Sequence, residues 1–116
     1  MRHVVMTVML ALATACTGQA TLAYTTPTPS AALVEVQPGV YAVADNPEPV
    51  FFADNYYWRF YDGRWYRSTW YTGGWTIARP PVAVLHIDRP HRYSHYRPGT
   101  RDRVVIRDRH GHWQRR

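Results

Sequence analysis

At 116 residues the chain has room for one small domain. Its 14 basic side chains are all Arg and outnumber 8 acidic ones, which gives a formal net charge of +6 at pH 7 and favours anionic partners. Cys16 is the single cysteine, so an intramolecular disulfide is excluded.

The N-terminus is typical of an export signal. A short positive start, MRH, precedes about ten apolar residues and then small residues that end at Cys16. The apolar run is too short for a spanning helix, which needs roughly 20 residues, so we predict a signal peptide over residues 1–15. Ordinary secretory cleavage after Ala15 or Ala20 is one alternative, and an uncleaved anchor with an idle thiol is another.

The end of the signal resembles a bacterial lipobox, which implies cleavage before Cys16 and lipidation of that residue. Thr17 lacks the acidic inner-membrane retention signal of such lipoproteins, so the resemblance implies an outer-membrane lipoprotein, with the Gram-negative periplasm or secretion as alternatives. Residues 16–32 are rich in Thr, Ala and Pro without a period, and we predict an extended tether.

Residues 33–88 are predicted to form a small antiparallel β domain, which makes the fold mostly β. Pro38 and Gly39 suit the centre of a type II turn, so the sequence predicts a hairpin over residues 33–45. Another strand starts at Val50. The short apolar run at residues 82–87 fits either a last strand or a single helical turn.

The segment from residue 55 to residue 77 holds four of the five Trp residues and two copies of one aromatic motif. In the first copy, Asp62-Gly63 predicts a two-residue type I′ turn, because both residues tolerate positive φ. That turn pairs Phe60 with Trp65 across the strands. It also places Trp58 opposite Arg67, a candidate cation–π contact.

The second copy is predicted to turn at Thr72-Gly73 and to pair Trp70 with Trp75, with Gly73-Gly74 as an alternative turn. Trp65 and Trp70 are an odd number of residues apart, so they point to opposite faces unless a bulge intervenes. The motif residues are Phe60, Gly63, Trp65, Trp70, Gly73 and Trp75.

This tandem motif resembles the WXXGXW (YXWGXW) repeat proteins, which are small secreted or lipid-anchored proteins of bacteria. The second copy fits the pattern fully, whereas the first has Phe60 in place of Trp. The resemblance implies an envelope protein and carries no catalytic activity or cofactor.

Seventeen aromatic side chains are hard to bury in a domain this small, so some are expected to remain on the surface. Most are expected to be core. The surplus on the amphipathic face of the first hairpin predicts a face for glycan stacking or a partner protein. That candidate ligand face consists of Tyr57, Arg59, Tyr61, Arg64 and Tyr66.

Residues 89–116 are predicted to be a basic and largely mobile tail, in which Val104 to Ile106 fit a short strand, with a sheet edge as one option for it. Residues 79–116 hold ten Arg and three Asp, whereas residues 1–78 hold four Arg and five acids. Such a tail has the composition of an anion-binding segment. The candidate contacts are Arg89, Arg92, Arg97, Arg101, Arg103, Arg107 and Arg109.

Motifs for catalysis and metal binding are weak. The pairs His91/His95 and His110/His112 have no Cys companion and sit among Arg residues that repel a cation. No nucleophile elbow, phosphate loop or carboxylate pair stands out, so we predict that the protein is not an enzyme and binds no cofactor or metal. The function predicted is a lipid-anchored envelope protein acting as a structural or interaction module. The alternatives are a binder of anionic or glycan envelope polymers and, if the signal is not used, a nucleic-acid binder.

Overall fold

The computed structural model describes residues 29–115, which form one eight-stranded antiparallel sheet of order β6-β5-β4-β3-β2-β1-β7-β8. The predicted fold class, mostly β, is confirmed. The signal peptide, Cys16 and most of the predicted tether lie outside the described residues. The strands are β1 (Ser30–Gln37), β2 (Val40–Val43), β3 (Val50–Ala53), β4 (Tyr56–Tyr61), β5 (Arg64–Ser68), β6 (Thr76–Ile77), β7 (Val104–Asp108) and β8 (Trp113–Arg115).

The predicted hairpin at residues 33–45 corresponds to β1 and β2. Gly39 has a φ of 77°, as the second central residue of a type II turn requires. β1 begins at Ser30, so the last residues of the predicted tether belong to the sheet. The sequence does not indicate this start of β1, because Ala31 and Ala32 have low strand propensity. In the structure Ala31 is nevertheless buried.

Both faces of the sheet are covered, because adjacent residues of β3 are large and point in opposite directions. Phe52 packs with Leu33, Val43, Val50 and Tyr57 on one face, which we call the concave face. Phe51 packs on the other face with a second buried set, which comprises Val40, Ala42, Ala53, Trp58, Val84 and Ile87. Fully burying one such side chain contributes about 1.5–3 kcal/mol.

The apolar run at residues 82–87 is helical rather than extended. A single helical turn spans Val82–Leu85 directly after Pro81, and Val84 is buried by it against the second face. A 3-10 helix at Pro90–Tyr93 follows and brings Tyr93 onto Phe51, with ring centroids 5.2 Å apart.

The prediction that residues 89–116 are largely mobile is wrong for residues 104–115. β7 pairs with β1 over five residues, from Ser30↔Asp108 to Val34↔Val104, and β8 pairs with β7. β7 is therefore an inner strand. Hydropathy missed this because Arg107 scores as polar, although its side chain packs among aromatic rings of the concave face.

The sheet curls over its concave face. Trp113 of β8 and Phe52 of β3 are four strand positions apart, which in a flat sheet is about 19 Å. Their ring centroids are 5.5 Å apart, so the far edge folds back toward the centre. The concave face is thereby closed by side chains from both halves of the sheet.

Candidate functional site

The first motif copy adopts the predicted hairpin. Asp62 and Gly63 have φ of 51° and 72°, and Phe60 pairs with Trp65 across β4 and β5. The two ring centroids are 5.1 Å apart with the planes at 55°. Such a tilted contact is a favourable aromatic geometry and explains the spacing of the motif.

The second copy does not form the predicted hairpin. Trp70 bridges to Gly73 and not to Trp75, so the turn centres on Tyr71 and Thr72. The turn is shifted by one residue, and Ser68 holds it, because its Oγ donates to the carbonyl oxygen of Gly73 and accepts from the backbone N–H of Trp70 at 3.1 Å. The hydrogen bonds of the Ser68 side chain therefore determine where the chain turns. The spacing of the aromatic residues gives no indication of these bonds.

Trp65 and Trp70 lie on opposite faces, as expected for an unbulged strand. Trp65 joins the cluster around Phe51, and Trp70 joins the cluster around Phe52. The expected Trp58–Arg67 cation–π contact is replaced by another, since the Arg67 guanidinium lies over Tyr56 at 4.5 Å.

The candidate ligand face is divided between core and surface. Tyr57 is 0% exposed and belongs to the core, so it does not present a ring to a ligand in this structure. Tyr61 is 52% exposed, Arg64 is exposed, and Tyr66 is half-buried. The face that remains accessible is centred on Arg59.

Arg59 occupies an aromatic cage on the concave face. Its guanidinium carbon lies 5.1, 4.9 and 5.0 Å from the ring centroids of Tyr61, Tyr66 and Trp75. Its Nη1 also donates to Glu48 Oε2 at 3.1 Å. The cation is thus held in one orientation by the protein itself.

Arg107, a predicted anion contact, is half-buried and its guanidinium faces the aromatic side chains of the concave face. Its guanidinium carbon lies 4.4 Å from the Phe52 centroid and 5.7 Å from those of Tyr57 and Trp113. Its Nη1 donates to the Tyr57 hydroxyl at 3.3 Å. Burial raises the pKa of Tyr57, although the hydrogen bond to Arg107 opposes that rise.

Two of the other predicted anion contacts, Arg101 and Arg103, converge with Arg115 on a cleft of about 440 Å³. The cleft is also lined by Glu35, Tyr41, Asp102 and Val105. We call it the arginine cleft. Sequence reasoning missed Arg115, because its contribution depends on β8 folding back beside β7.

The two acidic residues of the arginine cleft, Glu35 and Asp102, do not form ion pairs with its arginines. The carboxylate of Asp102 accepts from the backbone N–H of Gly99 at 2.6 Å. Burial raises the pKa of Tyr41, and a hydrogen bond to Glu35 raises it further. Among residues 29–115, no carboxylate lies within ion-pair distance of the three cleft arginines. The guanidiniums therefore remain available to an anion.

The remaining predicted anion contacts do not join this cleft. Arg89 lies 3.9 Å from its neighbour Asp88, and Arg92 and Arg97 are exposed. Arg109 lies at the opposite end of β7, where its backbone N–H donates to the carbonyl oxygen of Pro29 and the residue lines a smaller hollow of about 260 Å³ beside Trp70.

The histidine pairs are not assembled into a metal site. Across residues 29–115, no group of three His, Cys, Asp or Glu side chains is placed to hold an ion. His112 instead orders the β7–β8 turn, with its Nδ1 lying 3.1 Å from Asp108 Oδ2. A hydrogen bond from the backbone N–H of His112, and secondarily the His112 side chain, lowers the pKa of Asp108.

Comparisons with known proteins leave the chain without a family assignment: no family model matches it, and no curated protein or solved structure gives a significant match. Among the residues that the structure describes, no helix is long and apolar enough to cross a membrane.

Proposed function

We propose that the chain is a lipid-anchored bacterial envelope protein that works as a non-enzymatic interaction module. Its partners are anionic envelope polymers, such as lipopolysaccharide phosphates and acidic wall polymers. The lipid is attached at Cys16, and the outer membrane is the expected location. The signal sequence, the lipobox resemblance and the tandem aromatic motif support export.

The observation that carries the partner assignment is the arginine cleft. Arg101, Arg103 and Arg115 come from two chain segments and face one cleft, and among residues 29–115 none of the three lies within ion-pair distance of a carboxylate. Guanidinium groups bind phosphate and carboxylate in a bidentate fashion, and several acting together compensate for solvent screening.

A binding experiment with matched charge removal tests the partner. The triple variant Arg101→Ala, Arg103→Ala, Arg115→Ala removes the cleft cations. The control Arg89→Ala, Arg92→Ala, Arg97→Ala removes the same charge elsewhere. With lipopolysaccharide as probe at low and physiological salt, the cleft variant should lose at least tenfold in affinity and the control about twofold or less. Equal losses would reject the cleft in favour of nonspecific attraction.

Fractionation tests the anchor separately. Cys16→Ala should move the protein from the membrane fraction to the soluble fraction. In the unmodified sequence, acylation of Cys16 should increase the mass of the mature N-terminal peptide. An N-terminus that still carries Met1 without a fatty acid would exclude export by this route. It would favour the nucleic-acid alternative, which a duplex-DNA arm of the same titration measures directly.

A further inference from the structure

A second hollow, open to solvent and about 420 Å³ in volume, lies beside the caged Arg59. It shares no lining residue with the arginine cleft, and its volume falls in the range of small-molecule sites. It is lined by Asn46, Pro47, Glu48, Arg59, Tyr71, Thr72 and Trp75. We call it the Trp75 pocket.

The charge of the Trp75 pocket is balanced. Arg59 and Glu48 are its charged lining residues and are paired with each other at 3.1 Å. The aromatic cage that would attract a cation is already filled by Arg59. A cationic ligand therefore finds no vacant cage, and an anionic ligand finds no net positive charge. The lining favours a neutral ligand.

Part of the polar lining of the pocket is held in place by hydrogen bonds within the protein. Asn46 Nδ2 donates to the carbonyl oxygen of Glu48 at 2.7 Å. The carbonyl oxygen of Asn46 accepts from the backbone N–H of His95 at 2.6 Å, and the N–H of Asp45 bonds to Tyr96 at 2.7 Å. The loop of residues 44–49 is thus tied to the segment after the 3-10 helix, which lowers the entropic cost of binding.

We infer that the Trp75 pocket binds a neutral sugar unit of an envelope glycan. A pyranose ring has an apolar C–H face that suits the indole of Trp75 and the ring of Tyr71, and a rim of hydroxyls. The carboxylate of Glu48, the amide of Asn46 and the hydroxyl of Thr72 supply acceptors and donors for that rim. Aromatic side chains with a few placed polar groups are the usual composition of such sites.

This site is independent of the arginine cleft and of the anchor at Cys16, so each proposal can fail without the other. The test uses the full chain purified from cells, titrated with chitotetraose and maltohexaose as neutral probes and with a polyuronate as the anionic probe. Binding is measured by calorimetry, and tryptophan emission reports on the indoles. At least one neutral oligosaccharide should bind with low-millimolar or tighter affinity.

Two variants locate the binding. Trp75→Ala should weaken it about tenfold or more, because an aromatic contact contributes on the order of one decade in affinity. Thr72→Tyr fills the pocket from an exposed turn position without removing core packing, and it should weaken binding similarly even if Trp75→Ala destabilises the fold. Thr100→Tyr is the matched control, since Thr100 is also an exposed turn residue and does not line this pocket.

Three results would overturn the inference. One is the absence of binding by both neutral probes. Another is neutral binding that Trp75→Ala and Thr72→Tyr leave unchanged. The third is binding of the polyuronate alone, abolished by the Arg101, Arg103 and Arg115 substitutions, which would instead support the arginine cleft.

Discussion

Arg107 donates from Nη1 to the hydroxyl of Tyr57 at 3.3 Å, joining β7 to β4 across the concave face. The same guanidinium lies over Phe52 and Trp113, so this one arginine of β7 contacts side chains from three other strands, β3, β4 and β8. This contact links the two halves of the curled sheet. A positively charged side chain thus performs the packing role usually given to an apolar one.

Replacing Arg107 with Ala should destabilise the protein by about 2–3 kcal/mol, since it removes several cation–π contacts and a hydrogen bond. Arg107→Met keeps the aliphatic stem and should cost less. Arg103→Ala, an exposed arginine of the same segment, should change stability by about 0.5 kcal/mol or less. Urea unfolding measures all three, and equal effects at the two positions would contradict the bridging role.

Alkaline pH should destabilise the protein through Tyr57. Burial raises the pKa of its folded-state hydroxyl above the usual value of 10.0, so above pH 10.0 the unfolded chain loses this proton first. The unfolded state then binds fewer protons, and stability falls as pH rises toward the folded pKa. The stability that the Tyr57 hydroxyl contributes is fully present below pH 10.0.

Tyr57→Phe isolates this effect. The variant should lose about 1 kcal/mol at neutral pH with the hydrogen bond, and it should show a smaller alkaline loss than the native chain. Tyr61→Phe, at an exposed position, should keep the native alkaline loss. Denaturant unfolding from pH 8 to about pH 11 measures both, and identical pH profiles for the two variants would reject the assignment to Tyr57.

The sequence predicted the parts of the fold that local chemistry determines. Pro38-Gly39 and Asp62-Gly63 specify their turns through backbone conformations that few residues tolerate, so both hairpins were correct. The pairing of Phe60 with Trp65 followed from the second turn alone.

Long-range pairing was not predictable in the same way. β7 joins β1 across about 70 residues of chain, and its five residues, VVIRD, show no alternation that would indicate a partner strand. The predicted anion contacts therefore omit Arg115, and they include Arg107 although its guanidinium packs on aromatic rings. The alternation of side chains along a strand indicates the face on which Tyr57 lies but not how far that face is buried. The curling of the sheet covers this face and buries Tyr57, so the prediction that Tyr57 belongs to a ligand face is not met in this structure.

The acid stability of the β7–β8 turn should depend on Asp108. Hydrogen bonds from His112, and a further one from the His110 backbone, lower its pKa in the folded state. The stabilisation is present above the usual Asp value of 3.8 and is lost as pH falls through the folded pKa. Asp108→Asn should therefore abolish this part of the acid transition. Asp88→Asn, at a side chain that is 85% exposed, should leave it in place.

Substitution of Gly73 tests which turn the second motif copy forms, and Gly63 in the first copy provides the comparison. Gly63 has a φ of 72° and open space around its Cβ position, so Gly63→Ala should cost about 1 kcal/mol through backbone conformation alone. Gly73 has no positive φ and equal space, so Gly73→Ala should be nearly neutral. A type I′ turn at Thr72-Gly73 would require positive φ at Gly73. Equal losses for the two variants in urea unfolding would thus favour the predicted hairpin over the Trp70–Gly73 bridge.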